Sequence, residues 1–340
     1  MKASRLRTFA RSPRGLLTGA ALLGAGLTAA WVERRARRAQ REHPPEGRVL
    51  AIDGVRLHVL DRGQGPAVVL IHGNTVTHRD FVASGLVERL ARDHRVLAFD
   101  RPGYGHSSRP RDRLWTPSAQ AALLRAALVE LGVERAVVVG HSMGAMVAMA
   151  LALDHPDAVS RLVLLDGYFF PSARIDALLT APVALPVLGD VMRYTVTAVS
   201  ARLLLKRLVE GMFAPEDVPR GYLATLSREM LVRPLQLRAN AEDAAFMVPE
   251  AAKSSGRHQE LRMPVAILAG SDDRVVDRAA HSERLHGELP GSTLRVVAGA
   301  GHMVHHSAPE EVVAAIDRFP LPGAGSNVAA AIDAPLETAA

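Results

Sequence analysis

Ser142 stands between two glycines in the stretch "VVVGHSMGAMVAMA", residues 137 to 150, where an apolar run of strand character gives way to one of helix character. A serine hydroxyl is a weak nucleophile until a neighbouring base takes its proton, and that base needs an acid to orient it. Gly140 and Gly144 give the chain room for a turn too tight for side chains beside the serine. This G-x-S-x-G elbow lifts the hydroxyl above a strand end. It turns the N–H of the next residue, Met143, and the start of a helix toward any developing oxyanion.

An acid and a base follow in the order the chemistry needs. In "AILAGSDDRVV" Asp273 comes three residues after Gly270, just past a strand-like run. In "VVAGAGHMVHH" His302 sits in a Gly-rich loop directly behind the last such run. Asp272, read as an exposed turn residue, and Asp166, at the end of "RLVLL", are the competing acids. His305 and His306 read as pocket-rim or solvated residues, because no Cys, H-E-x-x-H or other ligand set accompanies them. His141 reads as a packing residue of the elbow, and Tyr168, Tyr194 and Tyr222 read as packing within a helical segment.

The elements that must position these residues alternate along the chain. "VLAID" (49–53) and "VRLHVL" (55–60) flank Gly54 as a hairpin. "AVVLI" (67–71), "RVLAFD" (95–100), "RAVVVG" (135–140), "RLVLLD" (161–166), "PVAILAG" (264–270) and "TLRVVAG" (293–299) read as buried strands. Helix-length stretches near 80–91, 117–131, 143–155, 277–288 and 309–318 separate or follow them. Apolar strands alternating with helices predict an α/β fold with a mostly parallel, doubly wound sheet. From Gly167 to about Val248 no strand-like run occurs, and so long an interval cannot be a simple loop. It predicts an inserted helical cap at the carboxyl edge of the sheet, where such folds bind ligands. The expected organisation is an N-terminal segment, 1–46, with a membrane-crossing stretch at about 15–32. An α/β core follows in two parts, 47–166 and 250–320, around a cap at 167–249, with a flexible tail at 321–340.

Charge is unevenly spread. Ten Lys or Arg against two Glu give residues 1–42 a net charge of +8, and the whole chain carries +6, so the remaining 298 residues carry −2. A near-neutral body with a basic head is not a phosphate-binding surface, and no nucleic-acid partner is expected. Inside the basic head, "GLLTGAALLGAGLTAAWV" (15–32) is uncharged and as a helix would span about 27 Å at 1.5 Å per residue, enough to cross a bilayer core. Trp31 and the flanking arginines suit the interfaces. A single-pass N-terminal anchor is expected. The competing reading is a signal peptide cleaved after "TAA" at 28–30, which "ERRARR" directly behind it disfavours. Both flanks are basic, so the positive-inside rule selects no orientation. The absence of cysteine removes disulfides, thiolate nucleophiles and Cys-ligated metals. No nucleotide-binding glycine loop or metal-ligand set stands out, so neither cofactor nor metal is expected.

From about residue 48 to 320 the chain resembles the α/β-hydrolase fold superfamily, on "LIHGN" (70–74), "FDRPGYGHS" (99–107), "VGHSMG" (139–144), "GSDDRVV" (270–276) and "GAGHM" (299–303) at the spacing of that family. The resemblance implies Ser142 as nucleophile, His302 as base and Asp273 as acid. It implies an oxyanion hole from the backbone N–H groups of Asn74 and Met143, with His72 bracing the oxyanion loop and "RPGYG" shaping the pocket wall. "HGN" is shared with haloalkane dehalogenases and epoxide hydrolases, but these need a carboxylate at the elbow where this chain has Ser142. The expected function is a lipase-like serine esterase, cleaving a hydrophobic carboxylic ester through an acyl-enzyme. Carbon-carbon bond hydrolysis or perhydrolysis by the same triad, and a non-catalytic binding role on the same scaffold, are the alternatives.

Overall fold

The computed structural model describes residues 13–317, so the basic residues up to Arg11 and the tail expected from Leu321 lie outside the described residues. Helix α1 (Pro13–Glu42) is followed by β1 (Arg48–Ile52), β2 (Val55–Arg62) and β3 (Ala67–Ile71). Then come α2 (Arg79–Ala83), α3 (Leu86–Leu90), β4 (Arg95–Phe99), α4 (Pro117–Glu130), β5 (Ala136–His141), α5 (Met143–Asp154) and β6 (Val159–Leu165). A wholly helical stretch comprises α6 (Ile175–Ala184), α7 (Leu188–Tyr194), α8 (Val196–Phe213), α9 (Tyr222–Thr225), α10 (Arg228–Leu231) and α11 (Pro234–Ser255). The chain returns to the sheet with β7 (Val265–Gly270), α12 (Arg284–Glu288), β8 (Thr293–Val297), α13 (Val304–Ser307) and α14 (Pro309–Asp317).

The eight strands form one sheet in the order β1-β2-β4-β3-β5-β6-β7-β8. β2 pairs antiparallel with both β1 and β4, and every pairing from β4 to β8 is parallel. The β1–β2 hairpin turns through Asp53 and Gly54, both at positive φ (48° and 77°), the combination a two-residue hairpin of the right twist requires. Strand side chains alternate between two cores. On one face Val69, Ile71, Val138 and Leu164 meet Leu124 and Leu128 of α4 and Leu151 of α5. On the other, Val68, Leu70, Val139 and Val163 meet Phe81, Leu86 and Leu90 of α2 and α3 with Val312 and Ile316 of α14. The parallel strands are covered on both sides, which is why they read as unbroken apolar runs rather than alternating ones. Each fully buried Leu or Phe contributes about 2 kcal/mol.

Two helix expectations need correction. The stretch near 80–91 is not one helix but α2 and α3, interrupted at Gly85, which sits at φ 73°. The stretch at 277–288 opens with a π-helical turn, Ala279–Glu283, before α12. α1 is long and apolar enough to cross a membrane, and its apolar stretch is almost entirely exposed.

Candidate active site

β5 delivers Ser142 and α5 carries the chain away. At φ 54°, ψ −119° Ser142 lies outside the regions L-residues favour, a strain concentrated at functional turns. The turn is fixed by hydrogen bonds from Ser142 N–H to Leu165 O and from Ala145 N–H to Ser142 O, both 2.9 Å. Its glycines are sterically obligatory. A Cβ on Gly144 would stand 2.1 Å from Ile71 O, and one on Gly140 would stand 2.5 Å from Gly144 O. Met143 opens α5, so its N–H is among the donors for which a helix start provides no internal acceptor.

His302 and Asp273 arrive from the ends of β8 and β7. His302 Nδ1 lies 2.8 Å from Asp273 Oδ2, and the carboxylate's other oxygen accepts from the N–H groups of Val275 (2.7 Å) and Val276 (3.0 Å). With Nδ1–H donating to Asp273, a neutral His302 keeps its lone pair on Nε2, the state a general base needs. Burial opposes the imidazolium, yet the charge and hydrogen bond of Asp273 outweigh it, and the ring's pKa stands above its ordinary 6.5. The competing acids are engaged elsewhere. Asp272 is exposed and accepts from Ser271 Oγ. Asp166 is buried and accepts from Gly270 N–H (2.9 Å) and Val304 N–H (3.2 Å). Burial, opposed by His302 and reinforced by the charge of Asp273, pushes the Asp166 carboxyl from 3.8 up to about 8.

Asn74 follows β3 in a loop held from below and above. His72 donates Nδ1–H to Gly73 O (2.7 Å) and accepts Arg101 N–H at Nε2 (3.0 Å), and burial first, then the Arg101 charge, lowers its pKa to about 3. The Asn74 side-chain oxygen accepts from Arg101 (2.8 Å) and from Tyr104 OH (2.9 Å). Arginine only donates, so the group facing it must be the carbonyl oxygen, and the amide orientation is fixed. Asn74, Ser142 and His302 line one cavity of about 510 Å³, bounded on the cap side by Leu208, Met212 and Met247 among others.

The model for the alpha/beta hydrolase fold matches residues 66–309. The chain belongs to the alpha/beta hydrolase fold family. It is 29% identical to an sn-1-specific diacylglycerol lipase of Mus musculus, over 75% of this chain and 80% of the relative. It is 27% identical to a 2-hydroxymuconate semialdehyde hydrolase of Pseudomonas putida, over 83% and 96%. A thermophilic esterase from Thermogutta terrifontis superimposes with a TM-score of 0.64 at 25% identity, covering 79% of this chain and 94% of that one.

Other residues that hold this hydrolase's site together were not singled out in the sequence. Asp243 of α11 is buried and joins Arg101, Arg109 (2.9 Å) and Tyr104 OH (2.9 Å), and its ion pair with Arg101 spans 2.5 Å. Asn240, three residues earlier, accepts the N–H of Thr75 at 2.9 Å, and Thr75 sits at φ 70°. The cap therefore grips the loop after β3 directly. In the sequence both stand among other polar residues of the same helix, Gln236, Arg238 and Glu242, so nothing local set them apart.

His305 and His306 correct the expectation of pocket-rim or solvated residues. His305 is fully buried, and both rings bond Asp80 at 2.9 Å through Nε2. Tyr222 OH also donates to Asp80 (2.7 Å), so Tyr222 ties the cap to the core rather than merely packing within it. His141 does more than pack as well: it donates Nε2–H to the backbone oxygen of His302 at 2.9 Å. Its ring lies 4.9 Å from that of His302 and 4.6 Å from that of His305. Among the described residues, three groups, His58-His78-Asp100, Asp80-His305-His306 and His141-Asp166-His302, bring potential ligand atoms within 4.8 Å of one another. The first two are knit by hydrogen bonds, with both oxygens of Asp100 and of Asp80 bonded to ring nitrogens.

Proposed function

We propose that the chain is a serine hydrolase that cleaves hydrophobic carboxylic esters through an acyl-enzyme. The observation that carries this reading is the 2.8 Å bond from His302 to Asp273, made by a histidine that lines the same cavity as Ser142. His302 Nε2 takes the proton of Ser142 as its oxygen bonds to the ester carbonyl carbon. The N–H groups of Asn74 and Met143 hold the resulting oxyanion, and the proton passes to the departing alcohol. Water, deprotonated by the same ring, then attacks the acyl-enzyme; the acid leaves and Ser142 regains its proton. Leu208, Met212 and Met247 favour an apolar acyl or alcohol group in the cavity.

Likeness to a 2-hydroxymuconate semialdehyde hydrolase supports a second reading, carbon-carbon bond hydrolysis by the same triad. A fluorophosphonate probe tests the first step of either. Labelling mapped to Ser142 and lost in Ser142→Ala is expected, and an unlabelled native chain would leave only a binding role. Turnover of a p-nitrophenyl ester series separates the two readings: activity rising with acyl length supports the esterase, and activity on no ester overturns it.

α1 is the second part of the reading: it anchors the protein in a membrane as a single crossing. Retention of the full chain in the membrane pellet after alkaline carbonate extraction is expected, and its release into the supernatant would overturn the anchor.

A further inference from the structure

We propose that the cap itself docks on the bilayer, with α6, α7 and α8 lying in its interface beside α1, so that the active-site cavity opens toward lipid. The proposal rests on the reading of α1 as an anchor. Leu178 and Leu179 of α6 are each 76% exposed, Val187 75% and Leu203 of α8 73%. Among the described residues, the large apolar side chains left exposed outside α1 and the segment 175–208 are only Val49, Leu114 and Val129. A water-facing surface rarely concentrates its apolar side chains so completely in one segment.

Three relationships identify the occupant as a lipid surface. First, α1 leaves the protein at this face. Its exposed stretch ends at Val32, where Val32, Ala36 and Ala39 become buried at helical spacing. Arg35 there pairs with Glu229 of α10 at 2.7 Å. Second, the level of the interface is marked. The guanidinium of Arg202 in α8 lies 5.1 Å from the ring of Trp31, the residue type that settles at headgroup depth. A membrane that receives α1 therefore meets α8 without a further search, since the tether makes docking intramolecular. Third, the apolar face leads into the site. Leu204, Leu208 and Met212 follow one another at four-residue spacing on α8, with exposure falling from 54% to 50% to 7%, and the last two line the cavity that holds Ser142. Arg207, exposed at the same rim, can extend its guanidinium to the headgroups.

The chain contains no cysteine, so single sites can be spin-labelled cleanly. Full-length Leu179→Cys, Leu204→Cys, Leu22→Cys and Val129→Cys are reconstituted in phosphatidylcholine vesicles, and the ratio of oxygen to nickel-complex collisions is read at each label. The expected ratio at 179 and 204 is several-fold above that at 129, approaching that at 22. A ratio at 179 and 204 equal to that at 129, with 22 reading as hydrocarbon, overturns docking and leaves the anchor standing. An aqueous value at 22 overturns the anchor and the docking with it. Labels at 179 and 204 broadened by spin-spin coupling that dilution with unlabelled chain relieves would show a second copy on this face, which also overturns the proposal.

Discussion

His302 Nδ1 and Asp273 Oδ2 lie 2.8 Å apart although 29 positions separate the residues in the chain. The bond joins the loop after β7 to the loop after β8. Asp273 raises the pKa of His302 against the pull of burial, so the ring is charged through a wider acid range than a free imidazole. Protonated His302 cannot accept a proton from Ser142. Turnover measured as kcat/KM should therefore fall about tenfold per unit as pH drops below a pKa above 6.5. In Asp273→Asn that acidic limb should move to lower pH, and kcat should drop by about 10⁴-fold, since the amide no longer favours the productive tautomer. A pH profile of ester hydrolysis checks both; an unmoved limb would mean that another group orients the ring.

Asp166 gives a prediction of stability rather than rate. Its folded pKa of about 8 lies above the ordinary 3.8. A group raised in this way stabilises the folded state fully below about pH 4, and that contribution is lost as pH rises to about 8, because the unfolded chain ionises first. The loss runs at up to about 1.4 kcal/mol per pH unit. Asp166→Asn cannot ionise, so the fall in Tm between pH 4 and 8 should be shallower than in the native chain. Parallel curves for the two proteins would refute the assignment. The slope is the readout, because the amide nitrogen must face a backbone N–H and lowers Tm at every pH.

Arg101 and Asp243 form a buried pair across the core–cap boundary. Removing one partner from such a pair leaves an uncompensated charge and costs about 3–5 kcal/mol. Asp243→Ala should lower the urea midpoint accordingly, because both Arg101 and Arg109 lose their shared carboxylate. A midpoint within experimental error of the native chain would show that the network tightens nothing.

Two glycines should respond in opposite ways. In Gly144→Ala the new Cβ meets Ile71 O at 2.1 Å and His72 O at 2.6 Å, both backbone atoms that cannot turn aside. The variant should lose more than about 3 kcal/mol or fail to accumulate. Gly211 of α8 has nothing within 4 Å of a built Cβ, so Gly211→Ala should raise stability by about 1 kcal/mol through helix propensity alone. Thermal melts of the two side by side test the elbow geometry against a helical reference.

Much of the fold was legible because its signals are local. β3, β5 and β7 are short runs of Val, Leu, Ile and Ala closed by Gly or a polar residue, and β6 becomes such a run after Arg161, as strands buried on both faces must be. The break within 80–91 leaves no such signal, because the helical periodicity runs on across Gly85. Ser142, Asp273 and His302 were legible for a further reason. Each follows a strand, and parallel strands bring their carboxyl ends to one edge.

The sequence by itself determined the order of strands and helices, the elbow with its obligatory glycines, and the candidate nucleophile, base and acid. Only the tertiary structure decided which carboxylate meets His302, that Asp80 binds His305 and His306, and that Asn240 and Asp243 of the cap bond to the loop after β3 and to the arginines behind it. The physical reason is range. Backbone periodicity and steric demand act over a few residues and leave a pattern in the chain. A hydrogen bond between Thr75 and Asn240, 165 positions apart, is chosen by how the cap packs on the sheet, and neither residue type announces it.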